Sequence, residues 1–191
     1  MVEPVSPLAG HVTPGRSGLA TQAAPGIRLS ERRIASLWQV AAWPDRLSQA
    51  GGAAAAAAGV PEAPGPGGTL AGSAATLMRI EPLKWWIVAA TPIDRPALDG
   101  QDGTVLDLSH ARTVIRVEGP DTAALMARLV SLDLRARSFP EGAVASTGLH
   151  HSGVTLTRRE GGIEIFALRS YALSIWEHVA ESAAQFGLET A

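Results

Sequence analysis

The chain has 191 residues, no cysteine, a formal net charge of −2 and an isoelectric point near 6.2. That length suits one well-buried domain, or one domain with a trailing arm. Without thiols, disulfide scaffolds, thiolate catalysis and cysteine-held zinc or iron–sulfur centres are excluded, and the near-neutral charge gives no electrostatic footprint for nucleic acid.

The opening MVEPVSPLAGHVTPG lacks the basic and apolar regions of a secretory signal. No apolar run of about 18 residues is present to span a bilayer. A cytoplasmic protein with no membrane partner is the expectation. Five tryptophans and a mean hydropathy of +0.13, against 18% charged residues, suit a small protein that buries part of its surface against another chain.

Residues 1–28 hold Pro4, Pro7, Pro14 and Pro25 among glycines, with no period of 2 or 3.6. They read as a flexible or partner-draped arm, and 29–191 as a single α+β domain. ASLWQVAAW, from Ala35 to Trp43, fits a strand or a helix face. Pro44 decides for a strand over 35–42, because the residue before a proline is pushed to extended geometry. A helix follows over about 45–58, with Gly51-Gly52 weakening its middle by about 1 kcal/mol per glycine. VPEAPGPGG, spanning 60–68, is a Pro/Gly loop.

Strands are predicted at 76–80, 85–90, 104–108 and 112–117 from their β-branched and aromatic content. Pro120 opens a helix with Asp121 near its positive end, and Leu125, Met126, Leu129 and Val130 give its apolar stripe. After a turn at Phe139–Gly142 come strands at 143–149, 153–158 and 163–168, the last two joined by a hairpin at 160–162. Ser170 is placed to cap a final helix whose face is Ala172, Ile175, Trp176, Val179, Ala180 and Ala183, and Gly187 is placed to end it. This mixed order predicts α+β, with antiparallel sheets and packed helices, rather than a doubly wound sheet.

Chemistry-bearing residues are few. Asp107, Ser109 and His110 hold the letters of a catalytic triad, but on an extended segment Ser109 and His110 project to opposite faces. A turn serine and an exposed histidine are the simpler reading. His150-His151 is the second pair. Adjacent histidines on a strand point apart, and joining one of them to His110, His178 or a carboxylate would still lack HxH or HxxxH spacing. Gly65–Gly68 and Gly161-Gly162 lack the context of a dinucleotide or phosphate loop and read as linker and hairpin. Arg158-Arg159, Arg135, Arg137 and Arg169 could grip a carboxylate or a neighbouring chain, or be solvated strand ends. Arg135, Arg137 and Arg169 are the candidates for interface contacts. Trp85 and Trp86 read as core plus edge, with no motif for flavin stacking, and Trp176 as core.

The stretch DLSHARTVIRVEGPDTAALMARLVSLDLRARSFPEGAVAST, followed by Arg169-Ser170-Tyr171 and a tryptophan-bearing last helix, resembles the gamma subunit of heterotetrameric sarcosine oxidase. RIEPLKWWIVA adds to it. The resemblance runs from about Arg79 to Gly187, and more weakly over Leu29 to Pro66. It implies an aminomethyltransferase-like fold with ferredoxin-like βαβ units. It also implies a complex of alpha, beta, gamma and delta subunits in which FMN, FAD, NAD and tetrahydrofolate lie on subunits other than this one.

On that footing the chain itself carries no catalytic, cofactor-binding or metal-binding residue. It serves the assembly of a flavoenzyme that oxidatively demethylates sarcosine to glycine, passing one carbon to tetrahydrofolate and forming hydrogen peroxide. Alternatives are a gamma-type subunit of a complex oxidising another N-methyl or secondary amino acid such as N-methylglutamate, a free-standing folate-binding protein with Asp107 as a conceivable contact, or an α+β domain with an unrelated binding role.

Overall fold

A computed structural model of the chain describes residues 5–18 and 24–191. In chain order the strands and helices begin with β1 (Gly15–Ser17), β2 (Ile27–Arg32), β3 (Ser36–Ala42), α1 (Leu47–Ala58), β4 (Thr69–Ala71), β5 (Thr76–Glu81) and β6 (Lys84–Ala89). They continue with β7 (Gly103–Asp107), β8 (Arg112–Glu118), α2 (Thr122–Leu129), β9 (Val144–Leu149), β10 (Ser152–Arg159), β11 (Gly162–Leu168), α3 (Ala172–Ala183) and β12 (Leu188–Thr190). The fold is α+β, with two sheets and three α-helices among the described residues. Its contacts divide the chain into two compact units. Unit 1 is Met1–Arg32, Ala111–Glu141 and Ser146–Ala191; unit 2 is Arg33–His110 with Gly142–Ala145.

Unit 2 is a five-stranded sheet, β4-β5-β6-β3-β7, with α1 on one face. Every adjacent pair in it is antiparallel. Strand alternation sends Val40 and Ala42 of β3, Leu77 of β5 and Trp85, Ile87 and Ala89 of β6 to that face. There they meet Ala50, Ala54, Ala55 and Ala58 of α1. Alanine is the strongest helix former, and its small side chain lets the helix backbone lie close to the sheet, with the Trp85 indole filling the gap. α1 stops at Gly59, whose φ of 72° is left-handed and whose N–H returns to the Ala55 and Ala56 carbonyls.

Unit 1 is a seven-stranded sheet in the order β1-β12-β2-β8-β11-β10-β9. β12 runs parallel to β2, while β2–β8, β8–β11 and β10–β11 are antiparallel. α3 packs on β8 and β11 and against α2. Leu125, Met126, Ile175, Trp176 and Val179 are buried with Ile27, Leu29, Ile115, Val117 and Ile165. Gly119, in the EGP run, has a φ of 119°, and a Cβ there would fall 2.3 Å from the Gly26 carbonyl oxygen. Only glycine lets the chain turn from β8 toward α2 at that approach.

The strands predicted from 35 onward are all present, within two residues of the expected ends. β1, β2, β4 and β12 were not foreseen. β2 reads as charged because Arg28, Ser30 and Arg32 alternate with only two buried apolar residues, Ile27 and Leu29. β1, β4 and β12 are three residues each, too short to show a period.

Part of the 1–28 stretch packs on unit 1. Leu8 is buried, β1 pairs with β12, and the Ser6 hydroxyl bonds the Glu31 carboxylate at 2.7 Å. Residues 1–4 and 19–23 of that stretch lie outside the described residues. Ser170 does not cap α3. It lies in a 3-10 turn, Arg169–Tyr171, that leads into the helix, and the Ala172 N–H bonds the Arg169 carbonyl instead. Among the described residues no helix is long and apolar enough to cross a membrane.

Candidate functional site

Asp107, Ser109 and His110 form a corner where β7 leaves the sheet of unit 2. The Ser109 hydroxyl donates to Asp107 Oδ1 at 2.6 Å, and the Ser109 N–H donates to the same oxygen at 2.9 Å. The Leu37 N–H donates to the Ser109 hydroxyl oxygen at 3.0 Å. This is an Asx-type turn pinned to β3. The hydroxyl proton points to the carboxylate, while His110 stands exposed beyond it. Hydrogen bonding from Ser109, ahead of its other influences, holds the Asp107 carboxyl below the usual carboxylate range.

His150 and His151 do come together, contrary to the strand argument. β9 ends at Leu149, so the pair makes the hairpin turn rather than lying on a strand, with His150 at a φ of 53°. Their ring centroids are 4.1 Å apart, and His178 of α3 stacks on His150 at 4.5 Å with planes 29° apart. Desolvation first, then the neighbouring His151 and His178, lower the pKa of His150. Among the described residues no three His, Asp or Glu side chains are placed to hold a metal ion.

The arginines divide. Arg158 is turned onto its own unit: its Nε donates to the Phe139 carbonyl at 2.7 Å and its Nη2 to that of Leu134. It therefore clamps the connection between α2 and β9. Arg135 forks onto Asp133 at 2.7 and 2.6 Å, and this, with a bond from Ser138, holds the Asp133 carboxyl well below its usual range. Arg169 donates to the Val5 carbonyl at 2.6 Å. Arg137 is exposed, as are Arg169 and Tyr171 beside it in sequence. Arg159 lies at an ion-pair distance of 3.3 Å from Glu160.

The strongest electrostatic feature was not singled out from the sequence. Glu164 on β11 is 1% exposed. The Arg32 Nε lies 2.7 Å from Glu164 Oε1, and Arg116 Nη1 lies 3.4 Å from the same oxygen. Arg116 also pairs with Glu118 at 3.0 Å. The register sets Arg116 of β8 directly opposite both Ser30 of β2 and Glu164 of β11. The one signal in the sequence is a glutamate inside GIEIFAL, flanked by isoleucines. Its partners are 48 and 132 residues away, beyond any local pattern.

Both Trp85 and Trp86 are buried, so the expected edge position of one of them does not occur. β6 lies between β5 and β3, and the Trp86 Nε1–H donates to Gln39 Oε1 at 3.1 Å. Trp43 is the exposed tryptophan, 47% accessible, with its indole N–H on the Gly100 carbonyl. Unit 2 also carries an open cleft of about 470 Å³ along α1, between Ala53, Ala56 and Ala57 and the Pro92–Ala97 loop.

No protein-family model matches the sequence, and no curated protein matches it. Solved structures do. The glycine cleavage system aminomethyltransferase T from Bartonella henselae is similar in fold, with 16% identity and a TM-score of 0.60, over 87% of this chain. This chain spans only 48% of that protein. A chain of the heterotetrameric sarcosine oxidase from Corynebacterium sp. U-96, solved in complex with pyrrole 2-carboxylate, is 26% identical with a TM-score of 0.76, and 95% of each chain is covered. The resemblance carried by DLSHARTVIRVEGP and RIEPLKWWIVA therefore extends to the fold of nearly the whole chain, which is similar end to end to a chain of a heterotetrameric sarcosine oxidase.

Proposed function

We propose that the chain is a structural, assembly-directing subunit of a heterotetrameric flavin-dependent amine oxidase of the sarcosine oxidase type, in the gamma position. The observation that carries this is reciprocal coverage: 95% of this chain matches 95% of a chain of such a complex. A shared fold alone would permit a fragment of a larger enzyme, as with the aminomethyltransferase; equal lengths point to an equivalent subunit. On this reading the partners are alpha, beta and delta chains in the cytoplasm. FMN, FAD, NAD and tetrahydrofolate are bound outside this chain, and oxidation of sarcosine or a related N-methyl amino acid takes place on a partner. The engaged hydroxyl of Ser109 and the self-paired Asp133 and Arg135 suit a structural role.

A second reading, a free-standing folate-binding protein, draws on the aminomethyltransferase fold. Asp107 is its conceivable contact, as an anion with Oδ1 already engaged by Ser109.

Affinity purification of the tagged chain from its host, with subunit masses and a visible spectrum, separates the two. Three co-purifying chains, a flavin spectrum and sarcosine-dependent peroxide formation are expected. A lone, colourless, folded chain that binds reduced folate would replace the first reading with the second.

A further inference from the structure

Two imidazoles on the β9–β10 turn and one on α3 meet in unit 1, at centroid distances of 4.1 and 4.5 Å. The turn is set in a left-handed conformation at His150, which no glycine relieves. Stacked imidazoles attract while they are uncharged and repel once two of them are protonated. The residues flanking the pair, Leu149 and Ser152, bring no compensating charge. The helix brings Glu177 and Glu181 near His178 in sequence, and neither forms an ion pair with an imidazole among the described residues. Desolvation first, and then the neighbouring His151 and His178, disfavour protonation of His150.

We propose that His150, His151 and His178 form an acid-released latch, holding the tip of the β9–β10 hairpin on α3 at neutral pH and letting it go as His150 takes up a proton. The group's own proton equilibrium sets the window. The contribution of His150 is complete above the ordinary histidine value of about 6.5 and is lost as pH falls through its lowered value. The latch does not depend on the subunit reading.

The test is hydrogen exchange of the Leu149 and Ser152 amides, the strand ends that flank the turn, in the full chain as purified from its host, corrected for intrinsic rates, between pH 7.5 and 5.5. A loss of protection of about 3- to 10-fold at the lower pH is expected, with the β11 amides unchanged. His178→Phe, which keeps a ring on the stack and removes its charge, is expected to hold the hairpin at both values. His178→Ala is expected to lower protection at both. Equal protection of the wild-type hairpin at the two pH values would overturn the latch. So would a Phe variant that keeps the wild-type pH response.

Discussion

The two units solve the same problem, covering a sheet, with opposite chemistry. Unit 2 fits an alanine helix against Trp85, Leu77 and Ile87, an apolar contact with little side-chain entropy to lose. Unit 1 packs α3 on β8 and β11, with α2 against α3, and, within β2, β8 and β11, buries Glu164 between two arginines. An apolar contact tolerates slippage, whereas a buried carboxylate flanked by guanidiniums fixes one register. A buried ion pair adds little net stability over an apolar replacement, but breaking it is costly. The comparison therefore predicts which unit is sensitive to volume and which to charge.

The largest expected effect is in unit 2. Trp85→Ala removes its largest fully buried side chain and should cost about 3–5 kcal/mol in urea unfolding. Glu164→Ala comes next, at about 3 kcal/mol, the low end for a broken buried pair because Arg116 keeps Glu118. A loss below about 1 kcal/mol there would show that the network is solvated, and the contrast between the units would collapse.

Gly52→Ala should act in the other direction. The position is helical, a Cβ there meets nothing within 4 Å, and a gain of about 0.5–1 kcal/mol is expected in thermal melting. Asp107→Asn is the smallest, a loss of about 0.5 kcal/mol at neutral pH. Because Ser109 lowers the carboxyl pKa, the contribution of Asp107 is complete above about pH 4 and is lost as pH falls through the lowered value. The variant and the wild type should therefore converge in acid unfolding curves.

Much of this was legible in the sequence, for identifiable reasons. β6 and β8 are rich in β-branched and aromatic residues, Pro44 fixes the end of β3, and Ile175, Trp176 and Val179 recur at helical spacing. The Ser109 turn follows from short-range chemistry. The ion network does not, since strand pairing alone brings Arg32, Arg116 and Glu164 together. The histidine stack is missed when strand geometry is applied to His150-His151, although the strand expected at 143–149 already stops short of the pair. Moving His150 from strand to turn changes two diverging side chains into two converging ones.

The central claim, that this chain assembles a complex rather than catalysing a reaction, is tested most directly by deleting it from its host and restoring it. Without it, the partner chains should fail to form a particle of full size, and amine-dependent peroxide formation should be lost. Restoring the chain, or its Ser109→Ala or His110→Ala variants, should recover both. A full-sized, flavin-loaded particle assembled without this chain would contradict the account.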